Sequence, residues 1–186
     1  DKTGTLTQNK MTVQEIYVDG VCLQAQNLDI SKKTHSSLLY NAMLNNDSSI
    51  KDGKGIGDPT EYCLLSMARQ AKLGEKNRDE NYFRSTMERL EEIPFDSDRK
   101  LMSTRYLVDG VSTVFTKGAL DVLLHRSVNI LLEDTVVPMT EAHRHTILEQ
   151  NKVFSENGLR VLAFAYRELE PNQTLSEVGE QDYTFV

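Results

Sequence analysis

Residues 101–116 read LMSTRYLVDGVSTVFT, and the reading of this stretch decides the fold class. Its two arms, Leu101 to Val108 and Val111 to Thr116, are rich in β-branched and aromatic residues. They meet at Asp109-Gly110, a pair that tolerates the positive φ angles of a two-residue hairpin turn. So tight a turn joins only antiparallel strands, because a parallel pair needs a crossover of about a dozen residues or more. The sheet is therefore predicted to be antiparallel.

Toward the C-terminus, Ala119 to His125 reads as a short helix, and Thr140, with Glu141 just inside, opens a long one running to about Asn157. Gly158 is placed to end that helix as a left-handed residue. Arg160 to Leu169 reads as a strand that is apolar on both sides and hence central, with Leu162, Phe164 and Tyr166 opposite Val161, Ala163 and Ala165. Tyr183 to Val186 could begin one more strand. Toward the N-terminus, Glu88 to Ile93 reads as a strand stopped by Pro94, preceded by a helix that carries Tyr82 to Met87. Asp58-Pro59-Thr60-Glu61 is a helix start, with Asp58 as cap, Pro59 in the first position and Glu61 reaching back to the cap; the helix runs to about Lys72. Ser31 to Asn45 is helical by spacing with Ser31 as cap, the polar and glycine-rich run from Asn45 to Gly57 is a loop, and Asp19-Gly20 joins two short strands over 11–18 and 21–26. Six or seven strands, several joined by tight turns, interleave with three or four helices. The fold class is α+β, a six- to seven-stranded antiparallel twisted sheet flanked by helices.

A chain of 186 residues is the size of one large domain or two small ones and can bury roughly 70% of its unfolded surface. With 28 acidic against 21 basic residues the net charge is −7, and no basic block interrupts it. Nucleic acid and anionic membrane surfaces are accordingly poor partners. The longest apolar stretches fall far short of the ~18 to 20 residues that span a bilayer, so the chain alone is expected to be soluble and monomeric. Cys22 and Cys63 have neither metal-ligand spacing nor a disulfide framework, which suits a reducing, cytosolic setting. His143 and His145 sit two apart on a helix, where they do not share a face, and so make a poor metal site. The chain begins at Asp1, inside a motif, and is expected to be a piece of something longer.

That motif is Asp1-Lys2-Thr3-Gly4-Thr5-Leu6-Thr7. A carboxylate followed by a lysine, threonine hydroxyls and a glycine fits a phosphoryl-transfer site. The carboxylate can form an acyl phosphate while the lysine and backbone groups offset charge on the phosphoryl oxygens. DKTGTLT resembles the phosphorylation motif of the P-type ATPases, ion pumps that pass through an aspartyl phosphate. The resemblance extends along the chain through Gly57-Asp58-Pro59-Thr60-Glu61, Phe95-Asp96-Ser97-Asp98-Arg99-Lys100, Lys117-Gly118-Ala119 and Asn157-Gly158-Leu159-Arg160-Val161-Leu162. It implies that 1–10 is a phosphorylation-motif segment and hinge, 11–180 a nucleotide-binding domain, and 181–186 a return hinge. The wording of FDSDRKLMS and KGA looks most like the calcium-pump branch; some calcium pumps carry a basic residue where Ser97 stands here.

Carried over residue by residue, the resemblance implies Phe95 as an aromatic platform under adenine, Glu61 as acceptor for the adenine amino group with Thr60 beside it, and Lys100 and Lys117 as pocket lysines next to Gly118. Arg160 would reach the phosphates near Leu162. Asp1, Lys2 and Thr3 would be catalytic, with Asp1 and Thr3 also holding Mg²⁺. Without the resemblance, each residue also has an ordinary reading: Glu61 as part of a capping box, Phe95 as a core aromatic, Lys117 as a surface lysine at a strand end, Arg160 as a partner for a nearby carboxylate.

The implied cofactors are ATP and Mg²⁺. The implied partners are the phosphorylation, actuator and transmembrane domains of a parent pump, which would place the chain on the cytosolic face of a membrane. The chain contains neither a TGD triplet nor a GDGxND stretch, so it is expected to bind ATP without hydrolysing it, with a Kd on the order of 0.1 to 1 mM or weaker. Phe95→Ala or Lys117→Ala is expected to abolish binding without unfolding the domain. Two other readings remain at this point. One is a haloacid-dehalogenase-like phosphatase, though these usually place a second Asp where Thr3 stands; the other is a binding module with no nucleotide site.

Overall fold

A computed structural model describes residues 11–186. The expectations for Asp1, Lys2 and Thr3 lie outside the described residues. The chain opens with a ribbon of β1 (Ile16–Val18) and β2 (Val21–Leu23), whose Asp19-Gly20 turn has φ of 57° and 73°. Then come α1 (Lys33–Leu44), a second ribbon of β3 (Ser49–Lys51) and β4 (Lys54–Ile56), α2 (Pro59–Gln70) and α3 (Glu80–Thr86). The rest of the chain supplies β5 (Arg89–Asp96), β6 (Leu101–Val108), β7 (Val111–Gly118), α4 (Leu120–His125), β8 (Ser127–Leu132), β9 (Thr135–Pro138), α5 (Glu141–Glu156), β10 (Ala163–Leu169), α6 (Leu175–Val178) and β11 (Tyr183–Phe185).

Seven of these strands form one sheet in the order β5-β6-β7-β10-β11-β8-β9. The α+β class and the seven-stranded sheet match the sequence reading, and Asp109-Gly110 makes the expected turn with φ of 50° and 81°. One pair departs from it: β11 runs parallel to β8. Strand β10 is central, between β7 and β11. Residues 181–186, expected as a return hinge, include β11, an interior strand whose Tyr183, Thr184 and Phe185 are all buried.

Successive residues of a strand face opposite sides, and the two faces carry separate cores. Tyr106, Phe115 and Tyr166 pack with Leu38, Leu39, Ala42 and Met43 of α1 and with Leu64, Met67 and Ala68 of α2. Leu101, Val114, Ala163 and Ala165 pack on the other side with Leu123 and Leu124 of α4, Ile147 of α5 and Leu175 of α6. Each buried leucine contributes about 1.5 to 3 kcal/mol by leaving water.

Three local expectations are corrected, and one hairpin is new. The 45–57 loop contains the β3/β4 hairpin, turning at Asp52-Gly53; arms of three residues are too short to show alternation. Strand β5 continues through Pro94 and Phe95 to Asp96, because it is an edge strand and proline's missing N–H removes no bond from an unpaired side. The β8/β9 hairpin turns on Glu133-Asp134, at φ of 48° and 63°, without the glycine that marks such turns. Finally, α1 starts at Lys33, so Ser31 lies too early to cap it and bonds Asp29 instead. The carboxylate of Asp134, in the β8/β9 turn, takes the Thr34 amide at 3.0 Å and caps α1 from a distant part of the chain.

Candidate functional site

Sheet register brings distant motifs into one row. Asp96 pairs with Leu101, Leu101 with Gly118, and Gly118 with Ala163, across β5, β6, β7 and β10. The immediate chain neighbours of these residues are Phe95, Lys100, Lys117 and Leu162. Gly118 is required in this row because a Cβ there would overlap the Lys100 carbonyl oxygen and stand 2.8 Å from Leu101 Cδ2. The same Lys100 carbonyl accepts the Ala119 amide at 3.1 Å, and Lys100 itself adopts a left-handed φ of 64°.

The turn from Phe95 to Lys100 is tied to itself. The Asp96 carboxylate accepts the amides of Asp98 at 2.7 Å and Arg99 at 3.3 Å, and these bonds hold it below the usual carboxylate pKa. The Asp96 carbonyl accepts the Lys100 amide at 2.6 Å. Phe95 is left 62% exposed on the edge strand, and Lys100 and Ser97 are exposed as well. The core reading of Phe95 fails: a large aromatic ring is presented to solvent.

Lys117 is the opposite case. It is 5% exposed and lies at the C-terminal end of α1, where Nζ donates to the Asn45 carbonyl and, at 2.7 Å, to Glu61 Oε2. Burial pushes the Lys117 ammonium below the ordinary lysine pKa, an effect opposed by the Glu61 carboxylate. The surface reading of Lys117 is therefore corrected, and so is half of the capping box. Asp58 does cap α2 through the Thr60 amide at 2.9 Å, but Glu61 turns away to Lys117 and the Asp47 amide. A buried ammonium draws a carboxylate more strongly than one exposed amide does.

Several residues that build this junction have no sequence signal. Asn46, almost fully buried, donates to the carbonyls of Ala42 at 2.9 Å and Glu61 at 2.8 Å, tying α1 to α2. Asn45 donates to Asn41 Oδ1 and to the Met102 carbonyl, both at 3.0 Å. Arg84 and Arg89 donate to the carbonyls of Met43, Leu44, Asn46 and Ser48. The Met43 and Leu44 carbonyls end α1, where cations are favoured, and those of Asn46 and Ser48 follow it.

Thr60 is half-buried at the start of α2, with its hydroxyl 3.5 Å from Met11 Sδ. Arg160 is exposed in the connection between Gly158 and β10, and Leu162 is half-buried just before that strand. These three line a cavity of about 810 Å³ together with Leu38, Leu64, Met67, Ile147 and Phe154. The cavity does not include Phe95, Lys100, Lys117 or Glu61. Its walls also carry Gln14, Glu15, Asp58, Gln150 and Asn151, while the exposed aromatic ring of Phe95 and the exposed Lys100 lie in the sheet-end row. Among the described residues no group of three or more His, Cys, Asp or Glu could hold a metal ion, and no helix is long and apolar enough to cross a membrane.

Comparison with known proteins fits this geometry. The family described as P-type ATPase, cytoplasmic domain N, matches residues 34–186. Over its whole length the chain is 39% identical to calcium-transporting ATPase 1 of Bacillus cereus and 41% identical to calcium-transporting ATPase 1 of Lactococcus lactis, covering 20% and 21% of those proteins. Calcium-transporting ATPase 1 of Saccharomyces cerevisiae is 34% identical, with 100% of this chain and 21% of that protein covered. The chain thus spans about a fifth of the length of these relatives. It belongs to the P-type ATPase family and corresponds to the cytoplasmic domain N of those pumps.

Proposed function

We propose that the chain is the ATP-binding domain of a cation pump and holds the nucleotide for phosphoryl transfer to Asp1. The observation that carries this is the sheet-end row, which sets an exposed aromatic ring beside lysines and a glycine-dependent close approach of two strands. Adenine stacks on Phe95, an interaction worth about 1 to 3 kcal/mol. Glu61 accepts from the adenine amino group, with Thr60 alongside. Lys117, engaged with Glu61 and the Asn45 carbonyl, acts by holding the Glu61 carboxylate in place. Lys100 and Arg160, both exposed, are free to meet phosphate oxygens, Arg160 from the connection that leads through Leu162 into Ala163 of the row.

Asp1 serves as the phosphoryl acceptor, helped by Lys2, and Asp1 and Thr3 contribute to a Mg²⁺ site completed by other domains of the pump. A Mg²⁺ ion held there would supply positive charge to offset that of the phosphoryl group. Calcium is the proposed cargo, supported by the names of the relatives and by the wording of FDSDRKLMS; the cytosolic face of a membrane is the proposed location, and ATP and the pump's other domains are the proposed partners.

Titration of the chain with ATP, followed by ¹H–¹⁵N amide shifts, tests the reading. Residues around Phe95, Lys100 and Gly118 are expected to move with a Kd on the order of 0.1 to 1 mM, and Phe95→Ala is expected to weaken binding while leaving the fold intact. Unmoved amides at ATP about tenfold above that Kd would leave the binding-module reading in its place.

A further inference from the structure

Arg99 is the cation of the Phe95–Lys100 turn that nucleotide binding leaves without a part. Its guanidinium points inward and grips the backbone on both sides of the turn. Nη2 donates to the Pro94 carbonyl at 2.8 Å and to the Leu101 carbonyl at 2.6 Å, which are the residues just before Phe95 and just after Lys100. Nε donates to Glu180 Oε1 at 2.5 Å.

Glu180 lies between α6 and β11 with its side chain only 6% exposed. Its second oxygen takes the Ser103 hydroxyl, which is 2.7 Å from Thr116 Oγ1; Thr116 is in turn 2.7 Å from the Tyr183 hydroxyl. The Glu180 carbonyl accepts Arg126 Nη1 at 3.1 Å. The carboxylate is therefore fixed by side chain and backbone before it meets Arg99. A planar guanidinium with Nε on a carboxylate and the neighbouring Nη2 on the carbonyls at both ends of the turn has a single orientation, and that orientation closes the turn.

We propose that Glu180 is a positioning residue for nucleotide binding, acting through Arg99 to hold Phe95 and Lys100 where they meet the ligand. The proposal rests on the nucleotide reading of the site. Glu180 touches no nucleotide; it fixes the turn that does.

The test is ATP titration of the chain and of Glu180→Gln by amide shifts, with thermal melting of both. In the variant the ATP Kd is expected to rise about fivefold to tenfold, a part of what stacking on Phe95 contributes. Shift changes in the free variant should stay within 93–103, 114–118, 126–127 and 178–184, the stretches that the Glu180 hydrogen bonds reach, with the melting temperature only a little below wild type. In a Phe95→Ala background the same substitution should raise Kd by a smaller factor, because the two residues act as a unit. Unchanged affinity in Glu180→Gln overturns the proposal. So does a loss accompanied by shifts across α1 and α2, or an equal factor in the Phe95→Ala background. Should Glu180→Gln fail to fold, Arg99→Lys carries the same test, since it keeps the charge beside Glu180 but cannot span both carbonyls. Absence of ATP binding by the wild-type chain is a separate outcome that overturns the nucleotide reading and this role with it.

Discussion

The two lysines of the site sit in contrasting settings. Lys100 is exposed, in a left-handed position of a turn that is held by Asp96 and Arg99. Lys117 is buried among the ends of α1, α2 and β7, with its ammonium shared between Glu61 and the Asn45 carbonyl. One lysine can move to a ligand and the other is part of the scaffold. The same residue type, brought to one end of one sheet, is thus left open to solvent in one case and built into the architecture in the other.

Breaking the buried half is expected to have the largest effect. Glu61→Ala leaves the Lys117 ammonium buried without its carboxylate, and removing one partner of a buried pair costs about 3 to 5 kcal/mol. Urea unfolding should show it as a lower midpoint. Lys117→Ala should destabilise as well, so it cannot serve as a binding test that leaves the fold intact, and Phe95→Ala is the cleaner variant. Gly118→Ala attacks the seam between the halves by driving a Cβ into the Lys100 carbonyl. A loss of about 1 to 3 kcal/mol follows from overpacking, again read from the urea midpoint.

The pH dependence separates the buried interior from the exposed turn. Burial raises Tyr166 and Tyr183 to about 12. Burial disfavours the ionised phenol, so stability is at its full value below the unfolded pKa near 10 and falls as pH climbs toward about 12. Lys117 has the opposite sign: its pKa is lowered by burial, so its effect on stability improves as pH rises from that lowered value toward about 10.4. Melting temperature should therefore fall most steeply above about pH 10, and Tyr183→Phe should reduce that slope.

The exposed half should break quietly. Phe95→Ala is expected to change stability by less than about 0.5 kcal/mol while costing about 1 to 3 kcal/mol of ATP affinity. The smallest effect is a gain. The Tyr166 hydroxyl is buried with no well-formed hydrogen bond, Thr184 giving it only a weak contact, so Tyr166→Phe should raise stability at neutral pH by about 1 kcal/mol or less, measurable as a small rise in the urea midpoint.

Features marked by local chemistry were legible in the sequence. Asp109-Gly110 announces the β6/β7 hairpin because both residues accept positive φ. Asp58-Pro59 announces α2 for an equally local reason. The β8/β9 hairpin was hidden because Glu133-Asp134 takes up the same backbone geometry with residues that rarely advertise it. In the candidate site, the motifs pointed to stretches that the sheet sets in one row, but they could not say that Phe95 faces out or that Lys117 faces in, since exposure depends on which strand forms the edge. Ties such as Arg99 to Glu180 and Asn46 to Glu61 join residues far apart in the chain, and no spacing rule reaches that far.

The position of β11 has a consequence for how the protein is made. This strand lies between β10 and β8, antiparallel to one and parallel to the other. During synthesis the β8/β9 hairpin can form early, but it has no neighbour in the sheet until Tyr183–Phe185 leave the ribosome. The nascent chain must therefore carry two open strand edges, on β10 and on β8, until almost its last described residues. Exposed edges are the usual points of mispairing, so the interval before β11 arrives is when the chain depends most on chaperones or on rapid synthesis.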